Sequence, residues 1–578
     1  MTQKRKWTGV VLATAMVAGL LAGCGGNNNA GNGGTNNGAT NGNNTAAEGN
    51  NAASEDLTPL TLSYYSEDVN PNWANMQDAV GKAITAKTGI TLDAEFAVGD
   101  PVQKSALIAT SGDYPDLIAA KNSINKFVDA GAVIDLTELI DKHAPNIKKL
   151  YGEEMNRLRY SNDDKSIYVI PTNAGVDQTY FTAGGGFELQ HRVVKELGFP
   201  TIRTVKDYEN AIKQYLAKHP KDENGNPNIG LTLNADDWHM YISVTNPAFL
   251  ATGGSDDGEY FIDIDTQEVT YHFRRPEEKE YFRWLNHMNA EGLLDPESFV
   301  QKYDQYKAKV ASGRVLGLID QEWDYADGEK ALKAEGKFDQ GYGHYPVTLT
   351  EEFKDASFQP TGFLSGYGVA ISSTNPDPVR AIKFLDYLAS DEGQVLVNWG
   401  IEGEHYKVEN GKRVIPAEVN DRKINDAANF QKESGIGQYN QIGPHYGDGV
   451  KDPSGNYYTT NFPEQIVASY NDVEKEVLAA YKATTWKDLF PKEEEFKVKP
   501  WGAAWNIPVP GDSEITILDE KLKSITWKRI PEAILAKPAD FDKVWDAYMK
   551  EIEAADVEKA EDLRQELVQQ RVELWSGK

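Results

Sequence analysis

Hydrophobic positions along this chain switch repeatedly between two periods. Leu60–Tyr65, "LTLSYY", reads as a strand. Apolar residues at Met76, Val80 and Ile84 then recur at three- to four-residue spacing, which predicts a helix over Asn72–Lys87 stopped by Gly89. "ITLDAEFAV" (Ile90–Val98) alternates as a strand, Val102–Thr110 returns to helical spacing, and the turn in "SGDYPDLIAAKNS" feeds a short buried strand at Asp116–Ala120. The opening is therefore βαβαβ, the mark of an α/β sheet whose ligands sit at the carboxyl ends of its strands. "GAVIDLTELIDKHAPNIKKLY" (Gly131–Tyr151) follows, then "SIYVIPT" (Ser166–Thr172), a strand ended by Pro171. Near the other terminus Phe541, Val544, Trp545 and Tyr548 share one helical stripe, which assigns Trp545 to the core.

Upstream of these elements the pattern is different. Lys4, Arg5 and Lys6 precede a run from Trp7 to Ala22 that is almost wholly apolar or small, too short for a membrane helix and shaped as a signal peptide. It ends in "LLAGC", and Cys24 is the only cysteine in 578 residues. Leu21-Ala22-Gly23-Cys24 resembles the lipobox of bacterial lipoproteins. That resemblance implies cleavage before Cys24 (residues 1–23 removed), diacylglycerol on its sulfur, acylation of the new amino terminus (palmitate or a similar chain), and a place on the outer face of the cell membrane. Residues 24–56, nearly all Gly, Asn, Thr and Ala, read as a flexible tether.

With no second cysteine the exported chain folds without disulfides, so core burial alone must stabilise it. The chain carries a net charge of −29, and losing the three signal-peptide cations takes it to −32. So acidic a surface argues against nucleic acid and against adhesion to anionic lipid. The 12 Trp and 28 Tyr are a supply suited to stacking on sugars as well as to cores.

The runs "ATSGDYPDLI", "AGAVIDLTELIDKHAPNI" and "IYVIPTN" resemble the family 1 extracellular solute-binding proteins of ABC importers, specifically their large oligosaccharide-binding lipoprotein branch. "DENGNPNIGL", "SGRVLGLIDQEWDY", "SGYGVAIS", "WGIEGEHYKV" and "IPEAILAKPADFDKVWDAY" agree in the same order. One stretch departs: "GGGFELQHRVVKELGFP" stands where relatives often carry a charged helix start.

The resemblance implies an α/β, periplasmic-binding-protein-like fold: two lobes joined by a hinge, with sugar bound in the cleft between them. Residues 57–171 and 341–389 would form the first lobe, and 172–340 with 390–578 the second. The implied partners are an oligosaccharide and the transmembrane subunits of an ABC permease, with the protein a monomer; no cofactor is expected, although relatives in this branch can carry a calcium.

Pyranose C–H faces pair with aromatic planes, and their hydroxyls with acids, amides and amines. In the family fold the loop after the "PDLI" strand reaches the cleft, here Lys121, Asn122 and Ser123. "DQEWDY" makes Trp323 the stacking candidate, with Gln321 and Glu322 beside it. Trp238 next to two acids, Tyr65 at the end of the first strand, and Tyr367 in a glycine-flanked turn are further candidates. So are Trp501 and Trp505 in the Pro/Gly-rich loop "KPWGAAWNIPVPG", one of the two expected to be buried.

Asp222, Asn224 and Asn226 resemble the start of a calcium loop, but positions 9 and 12 are Gly230 and Leu233, which favours an Asn-Gly turn. No G-x-S-x-G or H-E-x-x-H occurs, and the nine histidines are scattered. The rival readings are a lipid-anchored glycoside hydrolase with a carboxylate pair, against which eight βα repeats are not visible, and a repeat-built adhesion lipoprotein, against which no repeat is visible.

Overall fold

The computed structural model describes residues 56–577, without the Asn122 side chain. The expected signal peptide, Cys24 and the tether through residue 55 lie outside the described residues.

The first sheet has the strand order β2-β1-β3-β11-β4. It is built from β1 (Leu60–Ser66), β2 (Ile90–Phe96), β3 (Leu117–Ala119) and β4 (Ile170–Pro171), with β11 (Gly368–Ile371) arriving much later in sequence. β1 pairs in parallel with both β2 and β3. Helices Ala79–Thr88 and Pro101–Ser111 make the crossovers. The first helix starts later than its apolar spacing predicts, because Asp78 caps it: its carboxylate accepts the Gly81 amide, and Gly89 closes it in the left-handed region at φ 69°.

Both faces of this sheet are covered. Tyr64 packs into a large cluster with Leu62, Ile140 and Leu385, whereas Tyr65 turns to the opposite face with Ile118 and Phe127. Successive residues of a strand point to opposite faces, so two adjacent tyrosines serve two cores.

The second sheet has the order β10-β5-β9-β6, from β5 (Gly185–Gln190), β6 (Ile229–Thr232), β9 (Val315–Gln321) and β10 (Tyr342–Tyr345). A hairpin of β7 (Tyr260–Ile262) and β8 (Val269–Tyr271) stands apart from it. The core of this half is joined by the C-terminal helices Glu514–Leu535, Phe541–Glu553 and Val557–Ser576, and Trp545 is buried in it as its stripe predicts. Among the described residues no helix is long and apolar enough to cross a membrane.

Two boundaries differ from those expected. β10 pairs antiparallel with β5, so the chain is still in the second sheet at Tyr345 and returns to the first only with β11. Val397, Tyr439, Ile442 and Tyr458 pack in the same cluster as Leu62 and Leu385, so the chain beyond Ala389 stays with the first sheet as far as Tyr458. The expected boundaries followed the ends of helices. The observed ones follow which hydrophobic cluster each segment buries into.

Candidate functional site

The parallel strands β1 and β3 end at Ser66 and Ala119, and the chain leaves them in polar turns. After β3 a tight turn over Lys121–Ser123 places Lys121 at φ 41°. Two adjoining cavities open at these carboxyl ends, of about 380 and 210 Å³, with Lys121, Tyr367 and Gly368 in the walls of both. The larger lies within the 300–1,000 Å³ range of small-ligand sites. Ser66, Ala119, Thr172 and His445 belong to the smaller.

Tyr367 and Trp505 line the larger cavity with their rings 5.6 Å apart and tilted by 50°, and Tyr160 and Tyr168 form a second aromatic pair in its wall. Tyr367 and Trp505 are both half-buried. The Lys121 ammonium lies 5.8 Å from the Tyr367 ring centroid and pairs with Asp68.

Two asparagines hold the walls together. The Asn125 amide donates to the Val509 carbonyl, and the Asn506 amide donates to the Ser365 carbonyl at 2.7 Å. The Asn506 side-chain oxygen in turn accepts from Arg571, whose other nitrogen donates to the Asn506 carbonyl at 2.9 Å. Three remote segments are thereby fixed against one another: the turn after β3, the turn before β11, and the last helix. Gly368 is required where it stands. A Cβ there would lie 2.0 Å from the Ile170 carbonyl oxygen, inside the β11–β4 pairing.

A second aromatic feature sits at the carboxyl ends of β6 and β9. Trp238 and Trp323 stack with centroids 5.9 Å apart and planes 19° apart, at 45% and 59% exposure. His239 stacks beneath Trp238 at 3.9 Å and lies tilted against Tyr303 at 4.3 Å. Its Nε2 lies 3.3 Å from Asp324. Burial works against the charged imidazole, but Asp324 outweighs it and raises the His239 pKa.

Gln321 ends β9 with its side chain over Gly185, where a Cβ would meet it at 2.2 Å. Glu322 opens the next helix; it is exposed as a residue, yet desolvation and the nearby Glu329 push its carboxyl up. Tyr241 is surrounded by acids. Its phenol is pushed up by burial and then by Glu259, Glu520, Asp519 and Asp237, of which Glu520 and Asp519 line the larger cavity and Asp237 adjoins Trp238.

The structure therefore gathers Lys121, Tyr367 and Trp505 around one cavity and sets Trp323, Gln321, Glu322 and Trp238 together at the end of the second sheet. Asn122 belongs to the turn at Lys121–Ser123, and its side chain lies outside the described residues.

Two candidates are corrected. Tyr65 is fully buried, because its place in the strand turns it under helix Pro101–Ser111, where its hydroxyl meets Ser105 at 3.1 Å. Trp501 is also fully buried, its indole N–H donating to Asp257 at 2.9 Å.

At the calcium-like loop, both Asp222 oxygens are taken by the loop itself, from the Asn224 and Asn226 amides at 3.0 and 2.7 Å and the Asn226 side chain at 3.1 Å. Gly230 and Leu233 offer no carboxylate, so this donor set does not fit a calcium loop.

Sequence reasoning missed Arg157, Arg564 and Arg571 in the cavity wall. A signal existed: Arg564 and Arg571 share the stripe Val557, Ala560, Val568 and Leu574, which is the buried face of the last helix. Arginine on an apolar stripe marks a guanidinium taken out of water.

A family model described as bacterial extracellular solute-binding protein matches residues 79–397. The fructooligosaccharide ABC transporter substrate-binding protein FusA of Streptococcus pneumoniae serotype 4 is 25% identical over 320 residues, covering 52% of this chain and 54% of FusA. The alignment thus spans about half of FusA's length. Lipoprotein LipO of Bacillus subtilis is 19% identical over 423 residues, 71% of this chain and 74% of LipO.

Among solved structures, an HMO-binding, ABC-transporter-associated solute-binding protein from Bifidobacterium longum infantis superposes with a TM-score of 0.65 at 16% identity, over 89% of this chain and 99% of that one. FusA in complex with kestose gives 0.62 at 17% identity, over 88% and 99%. At these identities the structures establish the fold, which is that of the periplasmic-binding-protein-like solute-binding proteins.

Proposed function

Since the chain belongs to the bacterial extracellular solute-binding protein family, we propose that it captures an oligosaccharide outside the cell and hands it, chemically unchanged, to an ABC import permease. The observation that carries this reading is the larger cavity. It is of ligand size, lies at the carboxyl ends of parallel strands, and places Tyr367 and Trp505 beside Lys121 and buried amides. Aromatic faces for sugar C–H surfaces and a few fixed polar groups are what a saccharide site needs.

Two lobes would close over the sugar by flexing where the chain passes between the two sheets. Closure displaces water from the ligand and presents one conformation to the permease. The Trp238–Trp323 stack, at the strand ends of the second sheet, is the surface that would meet the sugar from the other side. Cys24 would carry the lipid that holds the protein to the membrane's outer face. The names of FusA and the Bifidobacterium protein, both carbohydrate binders, support the substrate class, and the name of LipO supports the anchor.

The test is a thermal-shift screen of the full chain in detergent against oligosaccharides, followed by chromatography of the recovered ligand. A bound sugar at a hundredfold excess over Kd stabilises the native state by about 2.7 kcal/mol. The expected result is a stabilising oligosaccharide recovered intact. Shortened products would overturn the binding-protein reading in favour of a hydrolase.

A further inference from the structure

The larger cavity runs against the charge of the molecule around it. The chain carries −29 overall, yet six residues lining this cavity are cationic (Lys121, Lys126, Arg157, Arg159, Arg564 and Arg571) and two are anionic, Asp519 and Glu520. Both acids are engaged. Asp519 accepts from the Tyr260 hydroxyl at 2.5 Å and pairs with Arg564, and Glu520 pairs with Lys523 at 2.7 Å. On the cationic side Lys121 is matched by Asp68 and Arg157 by Glu154. Lys126, Arg159 and Arg571 form no ion pair among the described residues.

Arg571 is nearly fully buried, at 7% exposure, and makes its hydrogen bonds to Asn506 and the Ala503 carbonyl, all uncharged acceptors. Its guanidinium and that of Arg157 lie 4.7 and 4.6 Å from the ring centroid of Trp575. Arg564, at 8% exposure, leaves its Nε without a hydrogen-bond partner among the described residues. Burial, then Arg157 and Arg564, pushes the Arg571 pKa down to about 9. A buried Arg571 with only uncharged acceptors, beside a spare donor on Arg564, is costly unless an anion joins them.

We propose that the solute is an acidic oligosaccharide, bearing a carboxylate or sulfate oxyanion that the Arg157–Arg564–Arg571 side of the cavity reads while Tyr367 and Trp505 take sugar ring faces. This rests on the reading of the protein as an oligosaccharide-capturing one and narrows its substrate class. A charge-assisted hydrogen bond from a guanidinium N–H, such as the unpartnered Arg564 Nε, to an oxyanion is shorter and stronger than one to a neutral hydroxyl. Lys126 and Arg159 would add attraction, and that part of the binding would weaken with salt.

The experiment is calorimetric titration of the full chain in detergent with three oligosaccharides of matched length: neutral, hexuronate and sulfated. Each is run at low and high ionic strength. One of the acidic sugars should bind at least tenfold tighter than the neutral one, with the advantage shrinking in salt, and which acidic sugar does so identifies the oxyanion. The double variant Lys126→Gln/Arg159→Gln, whose residues make no ion pair among the described residues, should lower the ratio of acidic to neutral affinity and flatten its dependence on salt. Arg564→Lys, which keeps a cation for Asp519 and removes the spare Nε–H, should weaken the acidic ligand further, provided its thermal unfolding matches wild type. Neutral sugar binding as tightly as acidic sugar would overturn this proposal and leave oligosaccharide capture standing. Binding of none of the three classes would overturn both.

Discussion

Trp501 and Trp505 lie four residues apart in one irregular loop, and truncating each should produce opposite results. Trp501 is fully buried. Its indole supplies one of the two hydrogen bonds to Asp257 Oδ1, the other coming from the Ala504 amide at 2.9 Å. Truncating a buried tryptophan costs about 3–5 kcal/mol, and removing one donor from a buried carboxylate adds roughly 1 kcal/mol. Trp501→Ala should therefore lose about 4–6 kcal/mol of stability. Trp501→Phe, which keeps most of the volume, should lose less than half of that. Trp505 is half-buried, and its contact with Tyr367 is worth about 0.5–1.5 kcal/mol beyond area. Trp505→Ala should cost roughly 1–2 kcal/mol of stability while weakening sugar binding at least tenfold. Urea unfolding of both variants, with titration of the bound sugar, reads the two effects separately. A Trp501→Ala protein as stable as wild type, or a Trp505→Ala protein that unfolds as easily as Trp501→Ala and binds sugar normally, would refute the assignment of one indole to the core and the other to the cavity.

Burial alone would depress the His272 pKa, but Glu278 and Glu259 outweigh it and hold it at about 9. This raised value makes its stabilisation full below the unfolded pKa near 6.5 and lost as pH rises through about 9, so the cost of His272→Gln should shrink by on the order of 3 kcal/mol between pH 6 and pH 10. Unfolding curves at the two pH values check it, and a cost independent of pH would contradict it. Gly368→Ala should push β11 off β4 and lower both stability and sugar affinity, since its Cβ would also meet Pro171 Cα at 2.7 Å; unchanged melting would contradict the register. Cys24→Ser should abolish lipid labelling and release the protein from membranes, and a variant still bound after a high-salt wash would contradict the anchor.

The βαβαβ opening was legible because alternation and helical spacing are local, and β1, β2 and β3 stand close to where the pattern puts them. The family was legible for another reason: many short runs in one order carry information that periodicity does not. Where the chain passes between sheets was less legible. β10 is a short segment that reads the same beside either sheet, and only its pairing with β5 assigns it. At the site, Tyr367 and Trp505 could be named but not joined, since their contact spans 138 residues of sequence. Tyr65 was misplaced because an aromatic residue at a strand end can face a cleft or the helix layer, and strand parity alone decides between them. The arginines were missed because charge normally marks a solvated face, and those on the last helix sit instead on the stripe that is buried.

The most direct test of the account is a crystal structure of the protein with an oligosaccharide found in the thermal-shift screen. The account predicts a sugar ring against Trp505 and Tyr367 with Lys121 in hydrogen-bonding distance, Trp238 and Trp323 brought against the same ligand, and every glycosidic bond intact. A sugar held on the outer surface, away from Lys121, Tyr367 and Trp505, would contradict it.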